Sequence, residues 1–286
     1  MKIKGHQSFH IRRGWIHKGL KEINKNEDLF SDKNIVLTDL FGIGSNMVTS
    51  LKYWLDALEL VERKREGSKV KLKLTELGKF ILKYDPYLEE ISTWHLLHYN
   101  LSSNEEKATT WYWFFNEYKG SKFSRENLFN SLNLYIKSKY DKEVSERSLK
   151  DDINCLLSTY INRDIRTPED NIESPFSELG LIEIDNKKSG DVNYKKACKK
   201  KPDEALVYHI LFKMANGKET LSLKEIIYSS NGVGNTFNLD TYGVMEILDS
   251  LQNLGYIKVI RTGGLDYISF ISKVNPFELL EKLYKY

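Results

Sequence analysis

Between Asn34 and Leu82 the chain reads NIVLTDLFGIGSNMVTSLKYWLDALELVERKREGSKVKLKLTELGKFIL, and its apolar period changes from helical to strand-like and back. Few arrangements accommodate that order. Val36 to Phe41 reads as a short helix, Gly42-Ile43-Gly44 as a turn, and Ser45 as the N-cap of a second helix reaching Leu60. Leu60 to Arg65 and Lys69 to Leu74 read as two strands about a Gly67-Ser68 turn. Thr75 then caps a further helix with Glu76 and Leu77 in its first turn. Helix, turn, helix and hairpin in succession is the winged-helix order.

The period of the second helix sorts its faces. At ~100° per residue, Met47, Val48, Leu51, Trp54, Leu55 and Leu58 share one side. Asn46, Thr49, Ser50, Tyr53 and Asp56 fall opposite, and with Lys52 they form a mostly uncharged surface able to reach base edges and phosphates. The hairpin carries Arg63, Lys64, Arg65, Lys69, Lys71 and Lys73 against Glu62 and Glu66. A protruding cationic element of that kind suits a phosphate backbone.

Beyond Tyr84 the windows WHLLHYNL, WYWFFNEY, ENLFNSLNLYIKSKY and SERSLKDDINCLLSTYI read as helices, the last capped by Ser145. SPFSELGLIEI reads as a turn and a short strand, and lysine-rich Lys187 to Glu204 as a hairpin tip or linker. The winged-helix order then recurs. DEALVYHILFKMANG, LSLKEIIYSS and LDTYGVMEILDSLQNLG are three helices; YIKVI, RTGGL and DYISFI are a hairpin; Asn275-Pro276 starts a last helix. The third of these helices points Val244, Ile247, Leu248 and Leu251 inward and shows Tyr242, Glu246, Asp249 and Asn253 outward. Carboxylates there would repel phosphates, so this module is expected to dock protein. The expected fold is therefore mainly α with α+β character, built of multiple winged-helix modules with small hairpin wings. Its expected domains are 1–84 for DNA binding, a helical middle over 85–201 and a C-terminal winged helix over 202–286.

A length of 286 residues suits two or three small domains, and 41% hydrophobic with 29% charged residues is ordinary for a soluble globular protein. With a net charge of only +3, any nucleic-acid footprint must be local. No apolar run spans a bilayer, MKIKGHQSFH lacks a signal peptide's apolar stretch, and Cys155 and Cys198 form neither a metal nor a redox spacing. A cytoplasmic protein with reduced thiols is the expectation.

Several chemical signals are weak. FGIGSNM and NGVGNTF look like phosphate-cradling loops, but neither ends in Gly-Lys-Ser/Thr, and a tight turn before a helix is the simpler reading. His95 and His98 lack a carboxylate or cysteine to complete a zinc set and read as packing groups. The run Trp111 to Phe115 is apolar around the whole helix and reads as core. No cofactor is identified, and nothing in the sequence supports a divalent metal beyond its general compatibility with strand cleavage.

The opening stretch GHQSFHIRRGWIHKG is different, because it gathers half of the chain's 6 histidines among cations and aromatics. Two readings stay open on the residues alone. In one, Phe9, Ile11, Trp15 and Ile16 pack and the charges are solvated. In the other, Arg12, Arg13 and Lys18 grip phosphates while His6 or His10 handles a proton.

Together, GHQSFHIRRGWIHKGL, FGIGSNMVTSLKYWLDALELV, LTELGKFIL, DPYLEE with TWHLLHYNL, ATTWYWFFNEY and SPFSELGLI resemble one bacterial family. It is the uncharacterised-domain family that includes SspB, the DNA-nicking subunit of single-stranded DNA phosphorothioate modification systems. The resemblance covers roughly the first two thirds of the chain and places Gly5, His6, Phe9, Arg12, Gly14, Trp15 and Lys18 on the family's opening motif. The chain departs from the pattern at Gln7, Ser8, His10, Arg13 and Ser45. The resemblance implies a bacterial modification and defence role as a DNA nickase. It also implies, as partners, DNA, a sulfur-transfer protein, a cysteine desulfurase and an ATPase. Self-association into a homodimer is left open. The residues on their own fit a non-catalytic winged-helix regulator or adaptor equally well.

Overall fold

A computed structural model describes residues 1–67, 69–161, 174–188, 191–263, 265–272 and 274–284. The hairpin tips expected at Ser68, Gly190 and Gly264 lie outside them. After an N-terminal turn, α1 (Arg13–Lys25) leads to α2 (Leu37–Phe41) and α3 (Ser45–Ala57), then to the hairpin β1 (Val61–Glu66) and β2 (Lys69–Leu74), then to α4 (Glu76–Tyr84). The expected order is thus present, with two adjustments. Gly42 takes the left-handed conformation (φ 64°, ψ 35°) that closes α2, and Gly44 is the N-cap of α3, so Ser45 is already helical. The helix also ends at Ala57, three residues short of Leu60. Thr75 caps α4 as expected, its hydroxyl accepting from the Gly78 amide at 3.1 Å.

The middle is helical: α5 (Ile91–Ser103), α6 (Thr109–Tyr112) running into a π-helical turn (Trp113–Glu117), α7 (Arg125–Tyr140) and α8 (Glu146–Tyr160), the last capped by Ser145. Strand β3 (Lys122–Phe123), a 3-10 turn (Pro175–Leu179), and strands β4 (Ile182–Lys188) and β5 (Asp191–Lys196) complete it, in the antiparallel order β3-β5-β4. The C-terminal part comprises α9 (Glu204–Ala215), β6 (Thr220–Ser222), α10 (Leu223–Tyr228), α11 (Val233–Thr236), α12 (Thr241–Asn253), β7 (Ile257–Ile260), β8 (Tyr267–Phe270) and α13 (Pro276–Glu281). Here the window LSLKEIIYSS opens as a strand: Leu221 pairs with Ile268, and Ser222 then caps α10 through a reciprocal Ser222–Glu225 box. The fold is mixed α and β, helix-rich with small antiparallel sheets. Among the described residues no helix is long and apolar enough to cross a membrane.

One apolar cluster runs from Ile11 to Leu280, and buried polar groups cross it. His98, on α5, is the clearest. Its Nδ1 lies 2.7 Å from the Tyr160 hydroxyl and its Nε2 2.7 Å from the Thr236 carbonyl oxygen. The carbonyl can only accept, so Nε2 carries the proton and Nδ1 accepts from the tyrosine. That one neutral ring joins α5, α8 and α11. His95 packs beside it against Phe237, its Nε2 3.0 Å from the Lys200 carbonyl oxygen. The run Trp111 to Phe115 is buried throughout, as its all-round apolarity predicts.

Burial pushes His98 down to about 3, and His95 and His209 down to about 4. The unfolded imidazoles take protons near 6.5, so below that pH the unfolded chain binds more protons than the folded one. The contribution of these three rings is therefore full above pH 6.5 and falls as the pH drops toward 4. Thermal melts should show Tm decreasing between pH 6.5 and 5, as the unfolding free energy falls by up to about 1.4 kcal/mol per pH unit for each histidine kept neutral. A Tm that is flat or rising over that window would show that these rings are solvated.

Candidate nucleic-acid interface

The N-terminal turn determines how α3 is presented. Lys4, Gln7 and Ser8 take left-handed backbone conformations (φ 58°, 50° and 67°), each at a cost of roughly 1 kcal/mol or more that surrounding contacts must offset. The offset centres on Asp152 of α8. Its Oδ1 accepts from the Lys4 amide at 2.6 Å and from His6 Nε2 at 2.9 Å, and its Oδ2 accepts from the Thr110 hydroxyl at 2.7 Å. On the surface Lys4 pairs with Asp151 at 2.6 Å. Gly5 lets the turn close against α3, since a Cβ there would sit 2.4 Å from the Tyr53 ring.

His6 is 0% exposed. Its Nδ1 accepts from the Ser8 amide at 3.0 Å while Nε2 donates to Asp152. Burial works against charging the ring, and Cys155 and Asp152 pull the other way, toward the charged form. The Ser8 amide stands where a second ring proton would have to go. The hydrogen bonds decide the outcome: Nε2 keeps its proton, and neither nitrogen is left for exchange with a substrate. The geometry makes His6 a fastener.

The following residues seat α3. The Phe9 carbonyl accepts from Trp54 Nε1 at 3.1 Å and from the Ser50 hydroxyl at 3.4 Å. Ser50 is consequently buried and is removed from the DNA-contacting set. The buried arc of α3 is wider than its apolar stripe because the N-terminal segment covers the flank that periodicity leaves open. Asn46 and Thr49 are exposed, Tyr53 is half-buried, and Lys52 is half-buried with its ammonium 5.2 Å above the Phe30 ring. Burial, then Arg63, hold the Lys52 ammonium below its usual proton affinity, against the pull of Asp56. No side chain caps Gly44, so the first-turn amides of α3 lie beside exposed Ser45 and Asn46 without a side-chain acceptor.

On the hairpin, Lys64 stands directly opposite Lys71. Like charges at that register repel, and each lysine is drawn to a glutamate, Lys64 to Glu62 at 3.2 Å and Lys71 to Glu66 at 2.6 Å. Arg63 reaches back to Asp56 at 2.8 Å, and Lys73 to Glu27 at 3.3 Å. The fold thus brings two carboxylates to the hairpin that a count along the strands does not include, and the positive excess is smaller than expected. Arg65 is exposed and makes no ion pair among the described residues. The side chains of Arg13 and Lys69 fall outside the described residues.

The other opening-motif residues divide. Lys18 is exposed and donates to the Phe41 carbonyl at 3.2 Å, closing the end of α2 beside α3. Arg12 stacks on Trp15 at 5.3 Å, half-buried, with its Nε lacking a hydrogen-bond partner; burial lowers its pKa. His10 is half-buried, and His17 lies against Pro86 and Tyr87. Sequence reasoning missed Asp152, Thr110 and Cys155. All are far from the motif along the chain, and only tertiary structure joins them to it.

A family profile described as a protein of unknown function (DUF4007) matches residues 3–284. The chain belongs to this family. Two solved structures share its fold: a magnesium ion-bound SspB crystal structure, with a TM-score of 0.86, and an SspB crystal structure, with a TM-score of 0.84. Each is 22% identical in sequence and aligns over 99% of this chain and 88% of the other. No curated protein matches. The expected kinship with the SspB-containing family is thus shown, and it extends into the C-terminal part, beyond the first two thirds that carry the resemblance in sequence. Among the described residues no three His, Cys, Asp or Glu side chains converge on a point. A magnesium ion commonly needs only one or two carboxylates besides water and phosphate.

His6→Ala leaves a buried carboxylate short of one donor and should cost about 1–3 kcal/mol of unfolding free energy in denaturant titration. His6→Gln, which can still donate, should recover part of it. The N-terminal segment should also become sensitive to trypsin at Lys2 and Lys4. A loss below about 1 kcal/mol would mean that Asp152 does not hold this turn.

Proposed function

We propose that this protein binds duplex DNA through the N-terminus of α3 and the β1–β2 hairpin, acting as a winged-helix component of a bacterial DNA phosphorothioate modification and defence system. The observation that carries the reading is the surface itself. Asn46 and Thr49 are exposed at the front of a helix whose first-turn amides no side chain caps, next to a hairpin ending in Arg63, Lys64 and Arg65. Uncapped amides and the helix dipole favour a phosphate oxygen. An exposed amide side chain in the first turn, such as Asn46, can make paired contacts to an adenine edge. The Lys64–Glu62 pair is solvent-exposed on both sides, so exchanging its carboxylate for a phosphate costs little. Lys18 stands beside the same face. The placement in a modification system rests on the family resemblance and on the shared SspB fold.

Strand nicking, which the resemblance also implies, would need a proton-transfer group other than His6. Of the motif's phosphate candidates, Lys18 is exposed and Arg12 is half-buried with its Nε covered. With His6 sealed, the geometry favours binding and strand presentation within an assembly whose other members supply the sulfur chemistry. The same observation favours the second reading, a non-catalytic regulator or adaptor. Sequence-specific operator binding without strand breaks would distinguish it.

Lys64→Ala with Arg65→Ala should weaken duplex binding on every sequence. It should also lower the slope of log K against log salt by about one for each phosphate no longer neutralised. Asn46→Ala should instead flatten the preference among sequences, by about 1–3 kcal/mol at one base pair. Fluorescence anisotropy over a salt series measures both. Unchanged affinity and slope in the double variant would remove the hairpin from the interface. In a plasmid-relaxation assay, nicking by wild type and His6→Ala alike would place cleavage on other residues.

A further inference from the structure

A cleft of about 1420 Å³ opens beside this face. Its lining includes Lys52, Tyr53 and Arg63 from α3 and the hairpin, together with His209 and Phe212 of α9 and Phe277 of α13. The turn held by Asp152 contributes Lys4 and Gly5 to the lining. We propose that this cleft receives an unpaired stretch of the bound DNA, its bases on the His209–Phe212 strip and its backbone beside Lys52. The proposal rests on the DNA-binding reading above and adds the form of DNA that the site selects.

The size, chemistry and position of the cleft argue together. Small-molecule sites are usually about 300–1,000 Å³, so this volume exceeds that range and has room for several nucleotides. His209, Phe212 and Lys213 are spaced i, i+3 and i+4 and share one face of α9, all lining the cleft. Phe212 is 48% exposed on a helix that is otherwise mostly buried. Phe212 meets Phe270 edge-on at 6.1 Å and keeps much of its ring exposed, and bases stack on aromatic faces regardless of sequence. His209 has a buried Nδ1 with no partner, and it packs edge-on to Phe277 at 5.0 Å. Burial, then Lys213, keep its ring neutral, so it offers a flat uncharged face.

Charge favours bases inside the cleft and phosphates at its rim. Arg63 and Lys107 both pair with Asp56 at 2.8 Å, and Lys213 pairs with Glu59 at 3.1 Å. The interior is therefore close to neutral, unsuited to a run of phosphates and suited to heterocycles. Lys52 makes no ion pair among the described residues and stands where α3 meets the cleft. Continuity decides between DNA and a peptide, because Thr49, Lys52 and Arg63 belong both to the proposed duplex face and to this lining. A strand leaving the duplex at α3 would enter directly.

The test uses the full chain with two labelled DNAs, a perfect duplex and the same duplex carrying an internal bubble of unpaired thymidines. Wild type should bind the bubble about tenfold more tightly, within the ~1–3 kcal/mol that one stacked base contributes. Phe212→Ala, at a half-exposed position, should lose that advantage while keeping wild-type affinity for the perfect duplex and an unchanged Tm. A 2-aminopurine placed in the bubble should lose fluorescence on binding wild type and not on binding Phe212→Ala. Equal wild-type affinity for the two DNAs, or a bubble preference that survives Phe212→Ala, overturns the proposal and leaves the cleft to a peptide partner, with duplex binding intact. Binding of neither DNA overturns the DNA reading itself, and the cleft's occupant with it.

Discussion

The arrangement of this protein turns on one buried carboxylate. Asp152 accepts hydrogen bonds from the Lys4 amide, from His6 and from Thr110, three donors from two distant parts of the chain. A buried charge is tolerated only when its lone pairs are satisfied in this way. The bonds hold an N-terminal turn whose Lys4, Gln7 and Ser8 would otherwise abandon left-handed conformations. The turn in turn places the Phe9 carbonyl where Ser50 and Trp54 can reach it, and so fixes the rotation of α3. The residues that α3 shows to solvent are a consequence of a carboxylate on α8.

This dependence explains what could be read from the sequence and what could not. Local pattern was sufficient for most of the helices, though not for α1 or α11, and for the first hairpin and the caps at Thr75, Ser145 and Asn275, because each depends on neighbours within a few residues. It was sufficient too for the inward face of α12, where Val244, Ile247, Leu248 and Leu251 are buried. It failed at Ser50, which period places on the open side and which a distant carbonyl buries. It failed again at His6, whose position in a histidine-rich basic segment suggests chemistry and whose actual partner lies 146 residues away. The hairpin's charge was overestimated for the same reason, since Asp56 and Glu27 approach it only in the folded chain.

The two ends of the molecule repeat an order of elements and present unlike surfaces. At the N-terminal end the exposed side of α3 is amide and hydroxyl beside arginine and lysine. At the C-terminal end α12 exposes Tyr242, Glu246 and Asp249, and Glu246 is engaged by Lys201. That pairing leaves Asp249 as the carboxylate of this face without an ion pair among the described residues. The neutral His98, bonded to Tyr160 and Thr236, keeps the central and C-terminal helices in one body, so that α9 and α3 line one cleft.

Whether α3 and the hairpin are the DNA face is best settled by amide hydrogen exchange on the full chain, with and without a saturating duplex. Exchange slows where backbone groups are covered or their opening is suppressed. Protection should concentrate in the first turn of α3, from Ser45 to Thr49, and along β1 and β2, with α12 unchanged. Protection centred on α12, or no change at α3 and the hairpin while DNA is bound, would contradict that assignment.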